Sequence, residues 1–144
     1  MWKGTVKTVP SLWNEGGMYA MTDIMTAEKV KNLMQPLIDK GCFFDYFYEK
    51  GGDSSCVYIC RFKKGKDYFD WREVSGADEI NLVTFVKGAF GFPNLKLVYP
   101  KEYKLYRLKH LLRKPTMDEN RAFVAELLLK ELAKDDTQFF GLKF

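Results

Sequence analysis

Histidine is nearly absent from this chain: His110 is the only one among 144 residues, and cysteine is limited to Cys42, Cys56 and Cys60. No Cys-x-x-Cys pair accompanies the lone imidazole, so neither a zinc site nor a nucleophile–histidine triad is spelled out, and no catalytic residue, metal or cofactor is expected. An apolar run of about 18 residues is also missing, which excludes a membrane-spanning helix. The start, Met1-Trp2-Lys3-Gly4-Thr5-Val6-Lys7, lacks the continuous apolar stretch of a secretory signal. An odd number of cysteines cannot all pair within one chain, so a reducing, cytoplasmic setting is expected. Five prolines and eleven glycines are scattered, with no linker, repeat or low-complexity stretch, so residues 1–144 read as a single domain.

What is present is apolar and aromatic: 47% hydrophobic and 16% aromatic residues beside 29% charged ones, with a formal charge of +4. That composition excludes disorder and suffices for a core without staples. The mild net charge selects no partner.

Trp2 to Val9 reads as a strand stopped by Pro10, with a loop through Asn14-Glu15-Gly16-Gly17. Thr26 is placed to cap a helix with Val30, Leu33, Met34 and Leu37 on one face, bent by Pro36 and stopped by Gly41. Three runs, Cys42 to Glu49, Ser55 to Phe62 and Asp67 to Val74, are separated by Gly-containing segments of hairpin length and predict a meander. Asp78 and Glu79 favour a helix start, with Ile80, Val83 and Phe90 apolar and Gly88 and Gly91 weakening its end. Leu95 to Tyr99 is a short strand candidate. Glu102 to Lys114 reads as an amphipathic helix with Leu105, Leu108, Leu111 and Leu112 on one stripe. Pro115 ends it, and Thr116 with Glu119 forms a capping box for a helix to about Lys134. Phe140, Leu142 and Phe144 fall at period two in a tail too apolar to hang in water, so it is expected to dock on the core or on a partner. The fold class is therefore α+β: a mostly antiparallel sheet built on a three-stranded meander (about 42–74), helices on one face and a C-terminal helical hairpin.

Tight loops would pair Glu49 with Ser55 and Phe62 with Asp67. One face then carries Cys42, Phe44, Tyr46, Tyr48, Cys56, Tyr58, Cys60, Phe62, Phe69 and Trp71, a core face on which the cysteines act as small hydrophobes. The other carries Phe43, Asp45, Phe47, Glu49, Val57, Ile59, Arg61, Tyr68, Asp70 and Arg72. Arg61 would reach Asp70 diagonally, and Arg with aromatics is what interface cores enrich, so Arg61, Asp70, Arg72, Phe47 and Tyr68 are candidate binding residues.

The order helix, three strands, helix, strand from residue 26 resembles the core order of the restriction-endonuclease-like nucleases. The resemblance implies a divalent metal held by an Asp and a (D/E)-x-K pair. Its nearest residues are Asp53 and Asp70-Trp71-Arg72, with Glu28 on the preceding helix. Arg72 stands where the family has Lys and cannot give up a proton. In the derived register Asp70 faces Ile59, which leaves roughly 20 Å between Asp53 and Asp70 at about 3.3 Å per residue. Asp45 and Asp70 share a face with Ile59 between them, about 9.5 Å apart. Helix, three strands, helix is also the order of double-stranded-RNA-binding domains, but their second helix opens on lysines and here the segment is Ala77-Asp78-Glu79.

From Lys101 to Lys114 there are six Lys or Arg, one Glu and His110. Helical spacing places Tyr106, Arg107, Lys109, His110, Arg113 and Lys114 opposite the leucines, a face suited to phosphates, an acidic protein or an anionic membrane surface. His110 reads as a surface residue, and acids of the next helix, Asp118 and Glu119 among them, are available to pair with these cations. The expected function is non-catalytic protein binding of an inhibitor, adaptor or immunity type. The alternatives are nucleic-acid binding through residues 101–114 and a metal-dependent nuclease. The expected partner is another protein, with a homo-oligomer contact through residues 139–144 as a further option.

Overall fold

The computed structural model describes residues 17–50, 56–74 and 76–144, with side chains from Ile24 onward except that of Lys50. The expected Trp2 to Val9 strand and Asp53 lie outside the described residues. Helix α1 (Gly17–Leu33) runs straight through Thr26 rather than starting there, and the expected bend at Pro36 is a break. The chain turns at Met34 and restarts as a one-turn helix α2 (Gln35–Asp39), in whose first turn Pro36 loses no hydrogen bond. Gly41 closes this segment at φ +97°, a left-handed conformation that only glycine adopts without strain, while the Cys42 N–H bonds back to the Leu37 carbonyl.

Five strands follow as a consecutive antiparallel meander: β1 (Phe43–Lys50), β2 (Cys56–Lys64), β3 (Asp67–Val74), β4 (Glu79–Val86) and β5 (Ala89–Gly91). Pairing in both sequence-derived hairpins is offset by two residues from the tight-loop register: Glu49 faces Val57 and Phe62 faces Phe69. An even slip leaves every side chain on its face. The aromatic face is accordingly the core, with Tyr46, Phe62, Phe69 and Trp71 fully buried. The helix expected to open at Asp78-Glu79 is instead the β4–β5 hairpin. Ile80, Val83, Thr84 and Val86 are β-branched, and Lys87 and Gly88 turn the chain at φ 53° and 79°, the two-residue left-handed turn that fits strand twist.

The expected strand at Leu95 to Tyr99 is helical instead: α3 (Leu95–Val98) opens where the Asn94 side chain accepts the Lys96 N–H. Helix α4 (Pro100–Lys109) starts at its proline and stops short of the expected Lys114. Thr116 and Glu119 form the expected capping box at the head of α5 (Met117–Lys134), and two of its three consecutive leucines, Leu127 and Leu128, are buried. Ala27, Val30 and Leu37 of α1 and α2 share one core with Phe62, Trp71 and Leu128. Arg121 of α5 grips Glu73 of β3 with bonds of 2.9 and 2.8 Å, and the same carboxylate accepts the Trp71 indole N–H at 2.8 Å. The tail folds into a hairpin, β6 (Gln138–Phe139) and β7 (Leu142–Lys143), turned by Phe140 and Gly141 at positive φ. It buries Phe139 and Leu142 fully, Phe140 and Phe144 of the period-two set pack against the core partly buried, and the Phe139 ring meets Phe69 edge-on at 5.0 Å. The tail is core. Among the described residues no helix is long and apolar enough to cross a membrane.

Candidate functional site: a sheet face and a helix

The second sheet face is organised by one carboxylate. Asp70 lies directly opposite Arg61 rather than Ile59, so the expected diagonal pair is a direct cross-strand pair. Arg61 donates to both carboxylate oxygens, Nε to Oδ1 at 2.7 Å and Nη2 to Oδ2 at 2.9 Å. Arg72 adds Nη2 to Oδ2 at 3.0 Å. Asp70 is fully buried, whereas the two arginine side chains keep 21% and 27% of their surface. The Arg61 guanidinium lies 3.6 Å from the Tyr68 ring centroid and 4.9 Å from that of Phe47, within cation–π range. Burial disfavours its charge, but the bonds to Asp70 outweigh that and hold its pKa above the ordinary arginine value. Phe47, Ile59 and Val83 on this face are buried yet belong to no part of the main core cluster. All five residues expected here, Phe47, Arg61, Tyr68, Asp70 and Arg72, therefore come together. Arg61, not Ile59, stands between Asp45 and Asp70.

The basic segment behaves differently, and six candidate residues divide. Tyr106 turns inward: its ring stacks on Phe123 at 4.0 Å and its hydroxyl donates to Asn120 at 2.8 Å. His110 is not a surface residue; its side chain keeps 6% exposure, with Nδ1 2.9 Å from the Tyr106 carbonyl and Nε2 3.3 Å from Glu119. Arg113 makes a two-point bond to Glu119, and Lys114 reaches Asp78 at 2.9 Å. The Arg113 guanidinium, the Thr116 N–H and His110 together hold the Glu119 carboxyl well below the usual carboxylate range. Arg107 and Lys109 remain exposed, and so do the leucines expected on the opposite, inward stripe. The stripe faces out because α4 carries two apolar arcs with the same i, i+3, i+7 spacing. Tyr103, Tyr106 and His110 find a stack and hydrogen bonds on α5, which leucines could not make.

Two features had no clear signal in the sequence. Glu73 and Arg121 are 48 residues apart, so only the packing of α5 on β3 pairs them. A cleft of about 800 Å³ also opens beside β4, lined by Arg72, Asn81, Tyr103, Tyr106 and Phe123 among others. It exists because β5 pairs only with Thr84 to Val86, leaving Glu79 to Val83 without a strand on that side among the described residues.

Burial pushes the Cys42 thiol up to about 11 against the pull of Lys64, and it raises Cys60 well above the ordinary thiol range. Among the described residues no three His, Cys, Asp or Glu side chains gather to hold a metal ion. Compared with family models, with curated proteins and with solved structures, the chain matches none.

Proposed function

We propose that the chain is a non-catalytic protein-binding module whose contact surface is the sheet face around Arg61, Asp70 and Arg72. The observation that carries this reading is the sharing of one buried carboxylate by two partly exposed guanidiniums beside Tyr68. Asp70 fixes both arginines before any partner arrives, so little side-chain entropy is lost on docking. Each guanidinium spends Nε and Nη2 on Asp70, and its Nη1 is directed to no part of that carboxylate. Arginine and tyrosine dominate interface hot spots. An inhibitor, adaptor or immunity role fits such a surface. Three unpaired thiols, Cys42 and Cys60 of them buried, accord with a reducing, cytoplasmic setting.

The test compares immobilised wild-type chain with Tyr68→Ala and Arg72→Gln in capture from the source cells, followed by calorimetry with the purified captured protein. Melting curves check that both variants are folded. The expected result is one stoichiometric protein whose affinity drops on the order of thirtyfold in each variant. A set of captured proteins identical for wild type and both variants would sink the reading.

A further inference from the structure

Helix α4 turns its leucines to water. Leu105 and Leu108 are 66% and 51% exposed, and Leu111 and Leu112 in the turn beyond the helix are more so. At about 100° per residue, Leu105 and Leu108 sit in the middle of the outward arc, with Lys104 and Arg107 on one side and Lys109 on the other. Lys101 lies one turn earlier on the same arc. The contacts of this segment with acids belong to His110, Arg113 and Lys114, past the last residue of the helix; none among the described residues involves Lys101, Lys104, Arg107 or Lys109. The one acid of the helix, Glu102, is half-buried on the inward side.

This combination discriminates between occupants. A second copy docked through the same arc would set four cations against four, because a two-fold contact brings identical patches together. A protein partner is a poorer match, since interface cores are depleted in lysine and their hot spots under-use leucine. An anionic bilayer matches both halves: leucines enter the boundary between headgroups and acyl chains, while lysine and arginine stems lie along that apolar layer and carry their charges to the phosphates. We propose that α4 and the turn after it dock flat on an anionic lipid surface, with Leu105 and Leu108 inserted and Lys101, Lys104, Arg107 and Lys109 at headgroup level. The sheet face around Arg61 shares no residue with this surface, so either reading can fail alone.

Flotation of the full chain with vesicles of phosphatidylcholine and phosphatidylserine in equal parts, and with vesicles of phosphatidylcholine alone, tests the proposal. Binding is expected to the mixed vesicles only. Each of Lys101→Gln, Lys104→Gln and Lys109→Gln should weaken it about fivefold, and Leu105→Gln combined with Leu108→Gln on the order of a hundredfold. Those leucines are exposed, so the melting temperature of the double variant should match wild type. Absence of flotation overturns the proposal, and so does flotation that ignores the leucine double variant. Reversible self-association abolished by the leucine changes would assign the face to a second copy instead. Binding of single-stranded RNA or duplex DNA that needs the lysines but not the leucines would make it a nucleic-acid surface, which equally overturns it.

Discussion

On the sheet face, Arg61 and Arg72 are neutralised and aimed by Asp70, which has no exposed surface; along α4, Lys101, Lys104, Arg107 and Lys109 are exposed and no salt bridge among the described residues involves them. Cations with an internal counter-ion are stiff and short-ranged, and they recognise shape. Cations without one keep a field that falls off within a Debye length and accepts any anion of suitable layout. The leucines sharpen the contrast, because an apolar stripe between loose cations serves a soft, deformable surface better than a rigid one.

The largest expected effect is on Asp70. Asp70→Ala leaves two neighbouring guanidiniums without their carboxylate and should cost about 3 kcal/mol of stability, read from urea unfolding. Lys104→Ala should stay within about 0.5 kcal/mol of wild type. Equal costs would erase the distinction between the two surfaces. A middle-sized effect is expected at Phe123, which Tyr103 meets edge-on at 4.9 Å and on which Tyr106 stacks at 4.0 Å. Phe123→Ala should cost about 2 kcal/mol and speed amide exchange over residues 100–110 without touching β2 and β3. Continued protection of α4 in that variant would show that something other than the stack orients it.

The smallest effect is a pH dependence. Glu119 titrates below its ordinary value, through Arg113 first and then Thr116 and His110. A depressed folded-state pKa contributes stability that is present above the unfolded carboxylate pKa and is lost as pH falls through the folded value. The junction of α4 and α5 should therefore loosen only in strong acid, and Glu119→Gln should remove that dependence. Side-chain carboxyl shifts followed by NMR provide the check: a Glu119 that titrates like a free glutamate would mean the junction is open in solution.

Local chemistry made much of the fold legible. The alternation in Phe43 to Tyr48 and Cys56 to Phe62 sorted both faces correctly although each hairpin pairs two residues away from the tight-loop register, because only an odd slip exchanges faces. Thr116 and Glu119 announced α5, since a capping box is satisfied within four residues. In the stretch 79–91 two acids mimic a helix start, while the deciding feature is the left-handed pair Lys87-Gly88 in the β4–β5 hairpin. At the candidate site, Arg61, Tyr68, Asp70 and Arg72 were legible for the same period-two reason, but Asp70's exact partner depended on register. Glu73 with Arg121 and the cleft beside β4 left no trace, because distant elements make them.

By itself, then, the sequence determined the meander, the two faces of its first three strands and the start of α5, each set by contacts within a few residues or by side-chain period. The tertiary structure alone decided which side of α4 meets the protein. Tyr103, Tyr106 and His110 on one arc and Leu105 and Leu108 on the other satisfy the same helical spacing, and no local rule ranks them. Only the presence of Phe123, Asn120 and Glu119 on α5 turned the aromatics inward and left the leucines and lysines facing out.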